Sequence, residues 1–311
     1  MVSCDVWRAL STANIAVCLL PGRGPGNPVY MGQGLATGTL HRRQQFYCYE
    51  DPERRLFVAQ QLLQRKIEAY DHAIVLIANR LAGITGNSQQ SLIDQWMSLR
   101  ERMDAGVSTA RSIDTLRGHE GAASRDWFGL IRQCIDPIWS FTNRNRRPPK
   151  DPLNALLSFC YTLILSHAKR AVYLAGFDSR LGFMHAPRSA RPALALDIIE
   201  SARPACDAFA IDLLHQYLTQ NDFHIDQQGA CSLGKQARST FFSHWTAYLD
   251  HWPQFSGSLD NIPTDTIPEP VYGSLENFMQ SNVAQLKRDI GEMAAVQAHF
   301  DIENNEDAYH A

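Results

Sequence analysis

Residues 51–83 read DPERRLFVAQQLLQRKIEAYDHAIVLIANRLAG, and this stretch decides the fold. Asp51 can cap a helix N-terminus. Pro52 suits the first helical position, where a missing N–H costs nothing. Leu56, Ala59, Leu63, Ile67, Tyr70, Ile74, Ile77 and Leu81 then recur at helical spacing up to Gly83, as one apolar stripe. The same period predicts further helices over roughly 88–103, within 107–135, and over 152–175, 191–219, 233–251 and 274–300. The last carries Leu275, Met279, Leu286, Ile290 and Met293 along one face. Thr142–Asp151 (TNRNRRPPKD) and Ser256–Pro270 read as loops.

Ahead of residue 51 the pattern changes. Ile15–Leu20 (IAVCLL) is short, apolar and β-leaning, and it ends in the turn cluster Pro21–Gly26. Pro28–Leu40 is extended in character but broken by Gly32, Gly34 and Gly38. This predicts strand, turn, strand. The glycines do not follow GxGxxG spacing and two prolines intervene, so a hairpin fits better than a phosphate loop. The expected fold is mainly α with a small N-terminal β part and a large C-terminal helical domain. Residues 1–45 would form a partial β domain, 46–303 a helical catalytic domain and 304–311 a polar, flexible tail.

With 311 residues, 45% of them hydrophobic, the chain can build a sizeable core. A net charge of −3 argues against a uniformly basic nucleic-acid coat and leaves room for a local basic groove. The seven cysteines (4, 18, 48, 134, 160, 206 and 231) show no CxxC spacing, which reads as reduced core thiols in a cytoplasmic protein. No run approaches the roughly 18 apolar residues needed to cross a bilayer. The N-terminus also lacks a basic region followed by a long apolar core, so no signal peptide is expected.

Chemistry concentrates in Gly182–Pro204, GFMHAPRSARPALALDIIESARP. His185 stands on a Pro- and Arg-rich loop. Asp197 and Glu200 follow in a run that otherwise reads as buried helix, and three-residue spacing puts them on one face. Acids among Leu194, Leu196, Ile198 and Ile199 are costly to bury without a compensating positive charge. A divalent cation would supply it, with Glu120 from the earlier Gly118-His119-Glu120-Gly121 segment completing a mixed oxygen and nitrogen set suited to Mg²⁺ or Mn²⁺. Structural readings exist for each. Glu120 reads as lying near a helix start, where a carboxylate favours the dipole. His185 can be a satisfied loop histidine, and Asp197 with Glu200 can be the wet face of a helix.

Four blocks occur in a telling order: Gly118–Ala123 ahead of Trp127-Phe128; Asn143–Leu157 (NRNRRPPKDPLNALL); Ala175–Asp178 with Leu181–His185; and Leu194–Asp197, Glu200 and Arg203-Pro204. In this order they closely resemble the CRISPR-associated Cas-one family of spacer-acquisition endonuclease/integrases, over nearly the whole chain. The resemblance implies an N-terminal β domain, with Val2-Ser3 and Ile15–Leu20 as its closing strands, and a C-terminal helical domain. It implies a homodimer, a small ferredoxin-like Cas-two partner, double-stranded and branched DNA as substrate, and a role in antiviral defense. The family's metal ligands fall on Glu120, His185 and Glu200, and Asp197 matches a supporting acidic position. Family members carry several further strands before the point where this chain starts.

The implied reaction is transesterification or hydrolysis at a DNA phosphodiester. Arg144, Arg146, Arg147 and Lys150, the densest basic cluster, and Arg188, Arg191 and Arg203 around the acidic pair are candidate phosphate contacts. Lys66 and Arg42 are weaker candidates of the same kind. Asn154, Ser158 and Tyr161 share a helical face and read as packing, and Trp127 and Phe128 as core. Three other functions compete: a transposon-borne integrase of the same family, a catalytically inactive DNA-binding subunit, and a helical metal-dependent phosphohydrolase acting on small substrates.

Overall fold

The structure, a computed structural model, describes residues 3–13, 15, 17–19, 29–31, 39–81, 89–189, 191–254 and 271–308. The fold is mainly helical, as expected, with three small antiparallel hairpins among the described residues. Contacts divide the chain into two units. One comprises 1–58, 165–198 and 279–311; the other comprises 59–164 and 199–278.

In the first unit, α1 (Cys4–Thr12) is capped by the Ser3 side chain, so Ser3 opens a helix rather than belonging to a strand. The predicted hairpin is present as β1 (Val17–Leu19) against β2 (Val29–Met31), with Cys18 opposite Tyr30. Helix α2 (Thr39–Glu50) follows, and α3 (Pro52–Leu81) starts where the sequence places it. Asp51 Oδ1 accepts from the backbone N–H groups of Glu53 (2.9 Å) and Arg54 (3.0 Å), which confirms the cap.

The rest of this unit fixes one loop. The buried Gln45 amide of α2 donates to the carbonyls of Asp178 and Leu181 at 3.0 and 2.7 Å, and its oxygen accepts from Asp178 N–H at 2.9 Å. Arg55 Nε donates to the Phe183 carbonyl at 3.0 Å. Gly182 seats the loop on α7 (Ala193–Ile198): an added Cβ would lie 2.7 Å from the Ala193 carbonyl carbon and 2.7 Å from Asp197 Oδ2. No side chain fits there.

The second unit holds the rest of α3, together with α4 (Gln89–Thr109), α5 (Ile113–Arg132) and most of α6 (Pro152–Leu174). Leu63, Ile67, Tyr70, Ile74 and Ile77 of the α3 stripe are buried. Tyr70 packs on Trp127 with ring centroids 4.3 Å apart, and Trp96 meets Trp127 edge-on at 5.4 Å. Trp127 and Phe128 are therefore core, and fully burying a side chain of this size contributes about 3 kcal/mol.

The predicted single helix over 191–219 is instead α7, a 3₁₀ turn (Ile199–Ala202) and α8 (Arg203–Gln216). Pro204 is the cause. It has no N–H to offer the Glu200 carbonyl one turn earlier, so the α-helical ladder breaks there. The sequence also missed two hairpins, β3 (Phe223–Ile225) with β4 (Cys231–Leu233) and β5 (Trp252–Gln254) with β6 (Val271–Gly273). Between them lies α9 (Lys235–Asp250), close to its predicted span. Helix α10 (Leu275–Ala308) continues past residue 304, where the sequence suggested a flexible tail. The predicted 256–270 loop lies outside the described residues.

Candidate metal centre

Ser112 caps α5, its Oγ accepting from Thr115 N–H at 3.1 Å. Glu120 therefore sits well inside the helix and not near its start, so the helix dipole does not explain the carboxylate. Ser124, one turn on, donates to Glu120 Oε1 at 2.8 Å. From α3, Lys66 Nζ donates to the same oxygen at 2.5 Å and to Ser124 Oγ at 3.3 Å. The same ammonium lies 2.8 Å from Glu200 Oε2, as an ion pair. Arg203 grips the other oxygen of Glu200, Nη1 to Oε1 at 2.6 Å. Lys66 and Glu200 are 3% and 2% exposed, so these charges compensate one another away from bulk water.

Burial alone would lower the Lys66 pKa. Glu200, with Tyr70 and Glu120, outweighs it and holds the ammonium above its ordinary value. Burial pushes Glu120 up, and Lys66 more than reverses this, leaving the carboxyl below its usual range. Burial works against the Arg203 charge too, and Glu200 overcomes it. Lys66 was a candidate phosphate contact in the sequence. The structure corrects this: it is a buried partner of both carboxylates.

His185 and Asp197 belong to the first unit. Asp197 Oδ2 accepts from the backbone N–H groups of Phe183 (2.7 Å) and Met184 (3.1 Å), and Oδ1 accepts from His185 N–H (2.9 Å). Oδ1 also lies 2.6 Å from His185 Nδ1. A carboxylate on Nδ1 fixes the ring and makes Nε2 the nitrogen that would meet a metal, the usual supporting arrangement at histidine-ligated ions. Asp197 and Glu200, three residues apart, thus serve different partners.

The structure brings Glu120 and Glu200 together at Lys66, and His185 and Asp197 together with each other. Among the described residues no three His, Cys, Asp or Glu side chains are gathered as a metal-ligand set. The donors nevertheless suit a hard divalent cation. Two carboxylates already converge on one positive centre, and the imidazole is oriented by a carboxylate.

The basic residues separate into two kinds. Arg146, Arg147 and Lys150 are exposed on the loop before α6, and Arg188 is exposed on the loop before α7. Arg191 is half-buried. Arg144 is half-buried too and turns inward: its guanidinium donates to Asn154 Oδ1 at 2.7 Å and Ser158 Oγ at 3.1 Å. Arg144 and Arg203 both lie over the Tyr161 ring, at 5.4 and 5.0 Å. Asn154, Ser158 and Tyr161 are therefore packing residues with a polar task.

Sequence reasoning passed over Asp207. It accepts from Tyr161 Oη at 2.5 Å and Trp127 Nε1 at 2.9 Å, and burial raises its pKa to about 6 against those bonds. Asp71, bonded to Trp96 Nε1 (2.8 Å) and Arg100 Nε (3.0 Å), is raised by burial to about 6 as well. In both cases the folded pKa lies above the free value of 3.8. The proton is thus held more tightly in the fold. Each carboxyl favours folding most below pH about 4, and that contribution, on the order of 3 kcal/mol, is lost as pH rises to about 6. Chemical denaturation between pH 4 and 7 should show this fall, and Asp71→Asn and Asp207→Asn should each flatten it. An unchanged pH profile in both variants would refute the assignment.

Residues 1–247 match the family described as CRISPR associated protein Cas1. The CRISPR-associated endonuclease Cas1 2 of Rhodospirillum rubrum is 36% identical over 254 residues, covering 78% of this chain and 72% of that protein. In fold, the chain resembles a casposase bound to integration product, with a TM-score of 0.71 and 18% identity, over 94% of this chain and 76% of the other. It also resembles a chain of a partial Cas6-RT-Cas1–Cas2 complex, with a TM-score of 0.67 and 24% identity, over 94% and 82%. The four sequence blocks, the helical fold and a family match through residue 247 agree, and the chain belongs to the CRISPR associated protein Cas1 family.

Proposed function

We infer that the chain is a metal-dependent DNA endonuclease/integrase that inserts new spacers into a CRISPR array by transesterification. The observation that carries this reading is the convergence of Glu120 and Glu200 on one buried positive charge, Lys66 Nζ, at 2.5 and 2.8 Å. The R. rubrum relative, named an endonuclease, and the casposase, titled as bound to an integration product, support it. Glu120, Glu200 and His185 Nε2 would hold Mg²⁺ or Mn²⁺, with Asp197 orienting the imidazole. A cation held there would supply Lewis-acid polarisation of the scissile phosphoryl group and charge stabilisation for the leaving 3′-oxyanion. No protein nucleophile is required: a DNA 3′-hydroxyl attacks in integration, and water in nicking. Arg203 and Ser124 hold the two carboxylates in position, so little reorganisation remains for the chemical step.

The exposed Arg146, Arg147 and Lys150 fit a DNA path and Arg188 extends the candidate set, whereas Arg144 supports its loop from within. Changing Arg146, Arg147 and Lys150 together to Ala should lower the salt slope of DNA binding by about 2 to 3, close to one unit per lost phosphate contact. Arg144→Ala should leave that slope nearly unchanged and lower stability. Equal slopes in the wild type and the triple variant would remove the loop from the DNA path.

A homodimer and a small ferredoxin-like Cas-two partner complete the proposed assembly, and the Cas1–Cas2 title of one fold relative favours the Cas-two partner. No helix among the described residues is long and apolar enough to cross a membrane. The scattered cysteines without CxxC spacing favour a cytoplasmic location. The likeness to a casposase keeps a transposon-borne integrase as the second reading, separable by gene neighbourhood. End-labelled branched DNA tests the function directly. Nicking or half-site products should need added Mg²⁺ or Mn²⁺ and vanish with chelator. Metal-independent products, or DNA binding with no product in either metal, would overturn it.

A further inference from the structure

Lys66 stands in the apolar stripe of α3, beside Leu62, Leu63, Ile67 and Tyr70, all buried. A lysine placed there gives up hydration and rotamer freedom, which requires specific compensation. Its compensation comes from three groups. The ammonium donates to Glu120 Oε1 at 2.5 Å and to Ser124 Oγ at 3.3 Å, and it forms an ion pair with Glu200 Oε2 at 2.8 Å. Two carboxylates facing one centre repel each other when nothing positive lies between them. Here the positive charge belongs to the chain itself and is present whatever the metal concentration. It also sits on the two oxygens that an incoming cation would use.

We propose that Lys66 is a tethered counter-ion for the Glu120–Glu200 pair, held between the carboxylates until a divalent cation exchanges for it. This exchange sets the metal affinity of the site. The proposal rests on the metal-centre reading above. Arg203 keeps its hold on Glu200 Oε1 throughout, so only Oε2 of Glu200 and Oε1 of Glu120 change partners. Lys66 is a positioning residue: it preserves the pocket without metal and discourages weak or adventitious binding by competing for the same oxygens.

The test is Mn²⁺ titration of chelator-stripped full-length protein, following free Mn²⁺ by electron paramagnetic resonance, with thermal unfolding in parallel. Wild type, Lys66→Met and Glu120→Gln are compared. Lys66→Met should bind Mn²⁺ at least about tenfold more tightly, because a competing charge within hydrogen-bond distance is gone. It should unfold at lower temperature without metal and gain more on Mn²⁺ saturation than the wild type does. A purely structural lysine would lower the unfolding temperature and leave Mn²⁺ affinity unchanged or weakened. That result, with binding lost in Glu120→Gln, overturns the counter-ion proposal alone. Wild-type binding in Glu120→Gln overturns the metal-centre reading and the proposal with it. If Lys66→Met does not fold, Lys66→Gln keeps hydrogen bonding without the charge. Tighter Mn²⁺ binding there supports the proposal, and unchanged binding overturns it.

Discussion

Glu120→Gln is expected to reduce nicking and strand transfer by about 10²–10³-fold, the usual effect of removing one preorganised electrostatic group. The substitution is isosteric. Ser124 can still donate to the remaining oxygen, so the helix and its neighbours should keep their places. DNA affinity should be unchanged or slightly tighter, because one negative charge is removed. Single-turnover assays on labelled branched DNA with saturating protein would separate the two effects. Glu200→Gln should lose activity to a similar extent, but it is the poorer probe. Glu200 is 2% exposed between Lys66 and Arg203, and neutralising it leaves two buried cations under-compensated. A stability loss of about 3–5 kcal/mol should accompany the lost activity. Retained turnover in Glu120→Gln would remove this carboxylate from the chemistry.

Asp197→Ala should destabilise the first unit by about 3–5 kcal/mol, as measured by denaturant unfolding. The carboxylate is fully buried and accepts the backbone N–H groups of Phe183, Met184 and His185 as well as engaging His185 Nδ1. Alanine leaves all of these without the carboxylate acceptor, on a loop that Gly182 seats closely against α7. The variant should also lose activity, since His185 would no longer be oriented. A loss of activity with full stability would mean that Asp197 acts in the chemistry and not as the anchor of its loop.

These two residues show where the sequence was legible and where it was not. Long helices are readable because cap, stripe and stop agree: Asp51, Pro52 and the Leu63–Ile67–Tyr70–Ile74 face mark α3 locally, and packing of that buried face then stabilises it. The hairpins at Phe223–Leu233 and Trp252–Gly273 were not, because strands of three residues are too short for period-two alternation to register. Pro204 is visible in the sequence, but apolar periodicity continues across 191–219 and masks the break that its missing N–H makes at Glu200. For the site, residue types pointed to acids and a histidine, but partners lie far away in the chain. Asp197 binds N–H groups of another segment, which no side-chain pattern announces. Lys66 did leave a signal: a charged residue inside an apolar stripe. The same signal marks Asp207, set between Cys206 and Ala208 on a helix with no wet face there.

The central proposal is that His185, with Glu120 and Glu200, would hold one divalent cation for exchange of DNA phosphodiesters. Electron spin echo spectroscopy of the Mn²⁺-loaded protein tests it most directly. The account predicts one Mn²⁺ per chain with coupling to an imidazole nitrogen, and loss of that coupling in His185→Gln. A wild-type ion without nitrogen coupling, or a coupling that survives in His185→Gln, would contradict it.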